Sequence, residues 1–473
     1  MVYKKAIQCI FVFLFLSTNA FAANIYVRDG CSGTGNDARD GDWNTANCTD
    51  QLSTAESVAV RGDTIYVADG SYNNTTFNVA ATGSTYITIC KATGSTVHSG
   101  ICSTAHGTDT GWVSTYGDGV ATISTSITFS TGYWRFSGQT RNEEDWFDFT
   151  AYGFEVDSTD NNAQVYLYSN NVEVYYVYAD AQDTLPGSTV AQYGFRGNNS
   201  SSYTGVVISR CAIDGGNNHF FIRGTNDAII EYCAASGARS NEGNHGENVN
   251  LFHYWGPATG ATVRYNHFKD NFLGSHSSEW GTATIAIASG DNYQIYGNIF
   301  ENNCNADTTV GFGDHTNPYN TNNTLVYNNT FIQMSDQNDC EPFNDSRFGV
   351  RLPNNSTNSY AINNLFYGDT PSFGNVTASY SACESSCSGS NNQTGITDSV
   401  FTNYAGGVFT LSGTGNVIDN GDTLTTDGYI DYDPLGTDRD ADDGWDIGAY
   451  EYGAEAVPAN AIQGAVLNGV ELK

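Results

Sequence analysis

Short runs in which apolar residues alternate with polar or small ones recur along the whole chain. "FFIRG", "NVNLF", "TIAIA", "TVGFG" and "GVRLP" are five of them, and "DTIYVADG", "TYITIC", "ATISTSITF", "YWRFSG" and "VEVYYVY" precede them. A two-residue period predicts half-buried strands. A second set interleaves with the first: "ISRCAI" from Ile208, "IEYCAA" from Ile230, "VRYNHF" from Val263, "IYGNIF" from Ile295, "VYNNTF" from Val326 and "AINNLF" from Ala361. Their fourth position reads Cys211, Cys233, Asn266, Asn298, Asn329 and Asn364, and their sixth is Phe in the last four. The steps between them are 22, 33, 32, 31 and 35 residues.

A constant strand with variable spacing predicts a solenoid whose coils carry loops of different length. The shortest step, 22 residues, suits one turn of a parallel β-helix. The expected fold is therefore all-β, with about eleven coils stacked into a rod on the order of 50 Å long. Asparagines at one level can then bond from coil to coil as a ladder. In the register "ENVNLF", Val249 and Leu251 face inward while Asn248, Asn250 and Phe252 face outward. The one expected helix, "TAESVA" at Thr54–Ala59, is placed to cover the open edge of the first coil.

The ends differ from this body. Residues 1–22 combine two lysines, an apolar run and an Ala-Phe-Ala ending, the pattern of a secretory signal. With the signal removed, no segment is apolar enough to hold the chain in a membrane. The body then spans 23–452. Residues 453–473 read as a linker and a strand-like tail, Ala461–Lys473, which can cap its own molecule or add head-to-tail to another copy.

Composition narrows the partners. With 51 acids against 18 Lys and Arg, the net charge is −33. That excludes nucleic acid held through its phosphates and anionic lipid. Thirty Tyr, 25 Phe and 7 Trp supply a core and exclude disorder. Of 11 cysteines, ten remain once Cys9 leaves with the signal. An even number in an exported chain predicts disulfides. Spacing suggests Cys31–Cys48, Cys90–Cys102, Cys211–Cys233, Cys304–Cys340 and Cys383–Cys387.

Several stretches carry a resemblance. "GDTIYVADGSY" (Gly62–Tyr72) resembles the opening of secreted bacterial right-handed parallel β-helix proteins of the pectin-lyase-like kind. "HGTDTGW" with "YWRFSGQTR", and "HGENVNL" with "VRYNHF", resemble one branch of them. "DIGAYEY" (Asp446–Tyr452) is similar to their closing motif. The resemblance implies the fold, export, and a lateral face that meets extracellular polysaccharide. The Arg-x-Pro-x-x-Arg stretch of such lyases and the Gly-His-Gly of such galacturonases are both missing from this chain.

The candidate chemistry is as follows. His245 and Glu247 stand two apart in extended chain and can share a face, as a general acid/base pair does. The alternative is that they fasten the turn. Arg223 and Arg351, with Asn248 and Asn250, are expected to line a shallow polar groove on nearby coils. Asp438, Asp440 and Asp442 form an acidic loop that suits Ca²⁺; in the alternative, Asp443 and Asp446 pair with Arg439. His106 is expected to fasten its loop. Two functions follow: engagement of extracellular polysaccharide, with or without cleavage by lyase or hydrolase chemistry, or a non-catalytic surface, adhesive or fibre-forming role.

Overall fold

The computed structural model describes residues 22–453 apart from 35–38, 74, 80–82, 96–97, 99, 159–162, 182–192, 199–201, 240–245, 252–258, 273–280, 288, 304–307, 312–320, 334–348, 369, 425–431 and 441–443. The signal segment, the tail, His245, Asp442, Asp443, Cys304 and Cys340 lie outside the described residues.

The fold is a parallel β-helix. Three long sheets run along it, the first and second of 12 strands and the third of 10. One coil shows the path. Val206–Ser209 lies in the first sheet, Ala212–Asp214 in the second and Asn218–Phe221 in the third, and Ile229–Glu231 then returns to the first. The sequence repeat is the register of the first sheet: Ile208, Ile230, Val263, Ile295, Val326 and Ala361 are consecutive partners. The repeated phenylalanines are partners in the second sheet, where Phe268, Phe300, Phe331 and Phe366 stack at centroid distances of 5.3, 4.7 and 4.5 Å. Such pairs add about 0.5–1.5 kcal/mol each beyond the area they bury.

A single left-handed residue turns the chain from the first sheet to the second. Tyr176, Arg210, Tyr232, Tyr265, Gly297, Asn328, Asn363 and Tyr380 all have φ between 48° and 64°. That conformation costs a non-glycine residue about 1–2 kcal/mol. From the fourth of these coils to the seventh, the next residue is an asparagine that repays it. Oδ1 of Asn266 accepts from the Cys233 amide at 2.9 Å, and its Nδ2 donates to Ile230 O at 2.9 Å. Asn298, Asn329 and Asn364 repeat both bonds one coil further each time. A second, shorter ladder joins Asn271 to Asn303.

Cys211 and Cys233 do not form the expected disulfide. Both are free thiols, fully buried. Each thiol fills an asparagine's place: Cys233 Sγ accepts from the Cys211 amide at 3.4 Å and donates to Ile208 O at 3.7 Å, while Cys211 Sγ donates to Val174 O at 3.6 Å. Stacked side chains on adjacent coils keep Cβ atoms about 4.8 Å apart, wider than the roughly 3.8 Å that a disulfide prefers. The bonds Cys31–Cys48, Cys90–Cys102 and Cys383–Cys387 are formed.

The helix spans Leu52–Val58 and caps the first coil. Leu52 and Ala55 enter the core, and the Glu56 carboxylate accepts from the Asn78 and Val79 amides at 2.9 and 2.8 Å. At the other end Arg439 is buried, but it pairs with Glu451 at 2.9 Å and not with Asp446. Asp446 is committed elsewhere, since its two oxygens accept from the Asp419 and Tyr452 amides at 2.8 and 2.7 Å.

Two buried histidines are neutral. His98 bonds Ser137 Oγ at 3.0 Å, and His219 lies between Gly215 O and Asn248 Nδ2, each at 2.8 Å. Burial pushes both down to about 3. A histidine depressed on folding contributes stability that is present above its unfolded value near 6.5 and lost as pH falls toward 3. The urea midpoint of the wild type should therefore fall more steeply from about pH 7 to about pH 5 than that of His219→Gln. An equal slope would remove His219 from the account. Asn298→Ala leaves Val263 O and the Asn266 amide without their partner. It should cost about 2–4 kcal/mol in urea unfolding at an unchanged m-value.

Candidate functional site

The three outer faces are not equally available. Over the first sheet, Tyr175, Ser209, Glu231, Arg264, Tyr296 and Tyr327 form one outward row, and all six are buried. Arg264 donates to Glu231 Oε2 from Nε at 2.8 Å and to Tyr296 Oη at 2.9 Å, and Ser209 donates to Glu231 Oε1 at 3.1 Å. Burial alone would raise Glu231; Arg264 and Arg210 outweigh it and hold the carboxyl below its ordinary value. Three segments cover this row and the turn residues beside it. His98 packs on Tyr175, Arg141 donates to Tyr232 O, and Tyr432 O accepts from Tyr265 Oη at 2.8 Å.

The third sheet presents a different surface. Its outward row reads Thr128, Tyr166, Arg196, Phe221, Asn250, Ala286, Gly311, Arg351 and Gly374. Around its middle the side chains form one connected group. Arg196 lies 4.7 Å over the Tyr193 ring, and Arg223 lies 4.2 Å over Phe221. Tyr193 meets Phe221 edge-on at 4.8 Å, and Tyr166 meets Tyr168 at 5.1 Å. Arg223 Nε donates to Asn250 Oδ1 at 2.9 Å, and Asn250 Nδ2 donates to Glu247 Oε2 at 3.1 Å. Tyr166, Tyr168, Tyr193, Arg196 and Arg223 are half-buried and reach solvent, while Phe221 and Asn250 are buried beneath them.

The expected residues divide. Asn250 and Arg223 share this group. Val249 and Leu251 are core residues, as their alternation implies. Asn248 is not on the face: it is fully buried against His219. The strand bends where it enters the sheet, marked by a register shift at Gly246/Glu247, and strict alternation fails there. Arg351 lies four rungs from Phe221 in the same row, about 19 Å at the strand spacing. It is therefore not gathered with Arg223. Glu247 is 6% exposed and held by Asn250, not open in a groove. The sequence reading does not find Tyr166, Tyr168, Tyr193, Arg196 and Phe221; aromatic and arginine content at one outward position of successive coils marks Tyr166, Arg196 and Phe221, while Tyr168 and Tyr193 lie outside that register.

In the acidic loop, Asp438 Oδ1 accepts from the Asp440 amide at 3.0 Å and Asp440 Oδ1 from Trp445 Nε1 at 2.7 Å. Among the described residues no three His, Cys, Asp or Glu side chains converge to hold a metal. His106 fastens its loop: its ring stacks on Trp112 at 4.2 Å and its carbonyl accepts from Trp43 Nε1 at 3.0 Å.

No family model matches the chain, and no curated protein matches it. Solved structures do. It is similar to the PL6 family polysaccharide lyase Pedsa3628 from Pseudopedobacter saltans, at 14% identity and a TM-score of 0.36 over 68% of this chain and 62% of that one. It thus spans about three-fifths of that lyase's length. It is also similar to the pectate lyase Pel9A, at 14% identity and 0.42 over 92% and 98% of the two chains. A third is an alginate lyase from Paenibacillus sp. str. FPU-7, at 13% identity and 0.40 over 78% and 95%. At these values the likeness supplies no residue-level correspondence.

Asn250 joins Arg223 to Glu247, so Asn250→Ala should cost about 1–3 kcal/mol by leaving two charged groups without that amide. Urea unfolding measures it, and a change below about 0.5 kcal/mol would show that the link carries no load.

Proposed function

We propose that this chain is a secreted protein that engages extracellular polysaccharide along the outer face of its third sheet. The observation that carries the reading is the half-exposed aromatic and guanidinium group of Tyr166, Tyr168, Tyr193, Arg196 and Arg223, set across adjacent coils and backed by the buried Phe221 ring. Sugar rings present C–H faces that pack on tyrosine, and hydroxyl or carboxylate oxygens that accept from arginine. Strands about 4.8 Å apart repeat such contacts along a line, as a chain of sugars requires. The first sheet cannot serve, because its outward row is roofed. Three disulfides among the described residues fit an oxidising compartment, as the leader-like start of the sequence does.

Cleavage at the same face is the second reading, favoured by one observation: Glu247 reaches the group through Asn250. His245 would be its partner in acid/base chemistry. The burial of Glu247 places binding ahead of cleavage.

Affinity electrophoresis against polygalacturonate, alginate and neutral glucans and xylans tests the proposal. At least one glycan should retard the wild type, with Tyr193→Ala and Arg196→Ala each weakening binding about tenfold, roughly 1.4 kcal/mol. Binding that survives both substitutions, or no binding to any glycan, refutes the site. Product release that is lost in Glu247→Gln would establish cleavage.

A further inference from the structure

The chain holds five lysines and 13 arginines, and only Lys91 and Lys269 fall within the described body. Its buried ion pairs are otherwise built on arginine: Arg264–Glu231 and Arg439–Glu451. Lys269 is 37% exposed beside Glu301. Lys91 stands apart, with a side chain 1% exposed and Nζ in direct contact with Asp69 Oδ1. Arginine keeps its proton in a protein, whereas a buried lysine can lose it and become a nucleophile.

The surroundings suit that chemistry. Asp69 Oδ2 accepts from the Gly119 amide at 2.5 Å, which places a backbone donor on the oxygen where charge would develop. The chain neighbours of the pair, Ala68, Cys90 and Ala92, belong to one apolar cluster with Tyr66, and Trp112 and Tyr116 pack against that cluster. Lys91 Nζ also donates to Ala92 O at 2.6 Å, and Tyr72 Oη donates to Ala68 O at 2.9 Å, one residue before Asp69, so both positions are held in place. Burial pushes the Lys91 ammonium below its ordinary value, against the pull of Asp69. The two residues belong to adjacent coils, since Lys91 is the strand partner of Val67.

We propose that Lys91 and Asp69 are joined by an amide bond between Nζ and Cγ, a covalent staple between the first coils. The bond forms without any added reagent. A proton passes from the ammonium to the carboxylate, giving a neutral amine and a neutral acid in contact. Nζ attacks Cγ while the Gly119 amide holds the carbonyl oxygen. The hydroxyl then leaves with a proton from nitrogen as one water. The Lys91 amine is buried while the Asp69 side chain stays 18% exposed, which leaves the departing water a way out, and proximity in a fixed geometry lowers the barrier, as it does for other intramolecular reactions. The staple sits one residue from the Cys90–Cys102 disulfide, so the third strand of the first sheet, Ile87–Lys91, would be tied twice.

Mass spectrometry on the full exported chain, denatured, reduced and alkylated, decides it. The expected mass is one water below that of the linear sequence, with trypsin failing to cut after Lys91 and fragment ions tying residue 91 to residue 69. Lys91→Met should restore the full linear mass. Asp69→Asn, closing with loss of ammonia in place of water, should give a product of the same mass as the closed wild type. A wild-type chain at full linear mass overturns the proposal. So does a missing water carried on a peptide that trypsin still releases after Lys91, the mark of a succinimide at an Asp-Gly step. Both of these results are read on the wild type alone, whatever the variants' folding.

Discussion

The turn between the first and second sheets governs the rest of the molecule. It has room for one left-handed residue and one ladder residue, and the ladder residue must satisfy backbone groups in two coils at once. An amide does this with one oxygen and one nitrogen, reaching the coil on each side. Because the partner is always the next coil, each rung fixes the height and rotation of its neighbour. Gly297 shows how tight the spacing is: a side chain there would meet the Tyr265 ring at 2.4 Å. Inward packing follows from this register, and the phenylalanine stack is its most regular product.

Much of this frame was legible in the sequence because it is written locally. The ladder residue and the apolar residue three before it recur in every copy, and their partners in the first sheet are those the alignment implies. Cys211 and Cys233 depart from the expected disulfide for a physical reason. A ladder position asks for a donor and an acceptor on one short side chain, and a thiol meets that demand weakly without any bond to its neighbour. Identity at the position suggested a cross-link where function at the position is hydrogen bonding. Asn248 was misread because alternation holds inside a strand and fails at its bent entrance.

The candidate face was less legible, since the first sheet's face is closed by contacts between residues far apart in sequence. Nothing local marks the first sheet's outward row as unusable. Its roof comes from residues around 98, 141 and 432, and the contacts that build it span 91 positions from Arg141 to Tyr232 and 167 from Tyr265 to Tyr432. Pattern reading has no access to such separations. Once the roof is in place, arginines on that side serve as buried counter-ions, as Arg264 does for Glu231. Those on the third sheet keep part of their surface for a partner.

The returning C-terminal segment also bears on the order of events as the chain is made. A solenoid can coil up from its first turn while the rest still emerges, each new coil templated by the last. Here the middle coils end that process incomplete. Asn328 waits for Asp446 O, Asn363 for both the amide and the carbonyl of Asp422, and Tyr265 for Tyr432 O. A truncated chain would therefore carry a formed rod with an uncovered row of buried-type tyrosines along one side. The segment from Asp422 to Asp446 supplies those partners, so the side of the rod is sealed by residues made after the coils they cover.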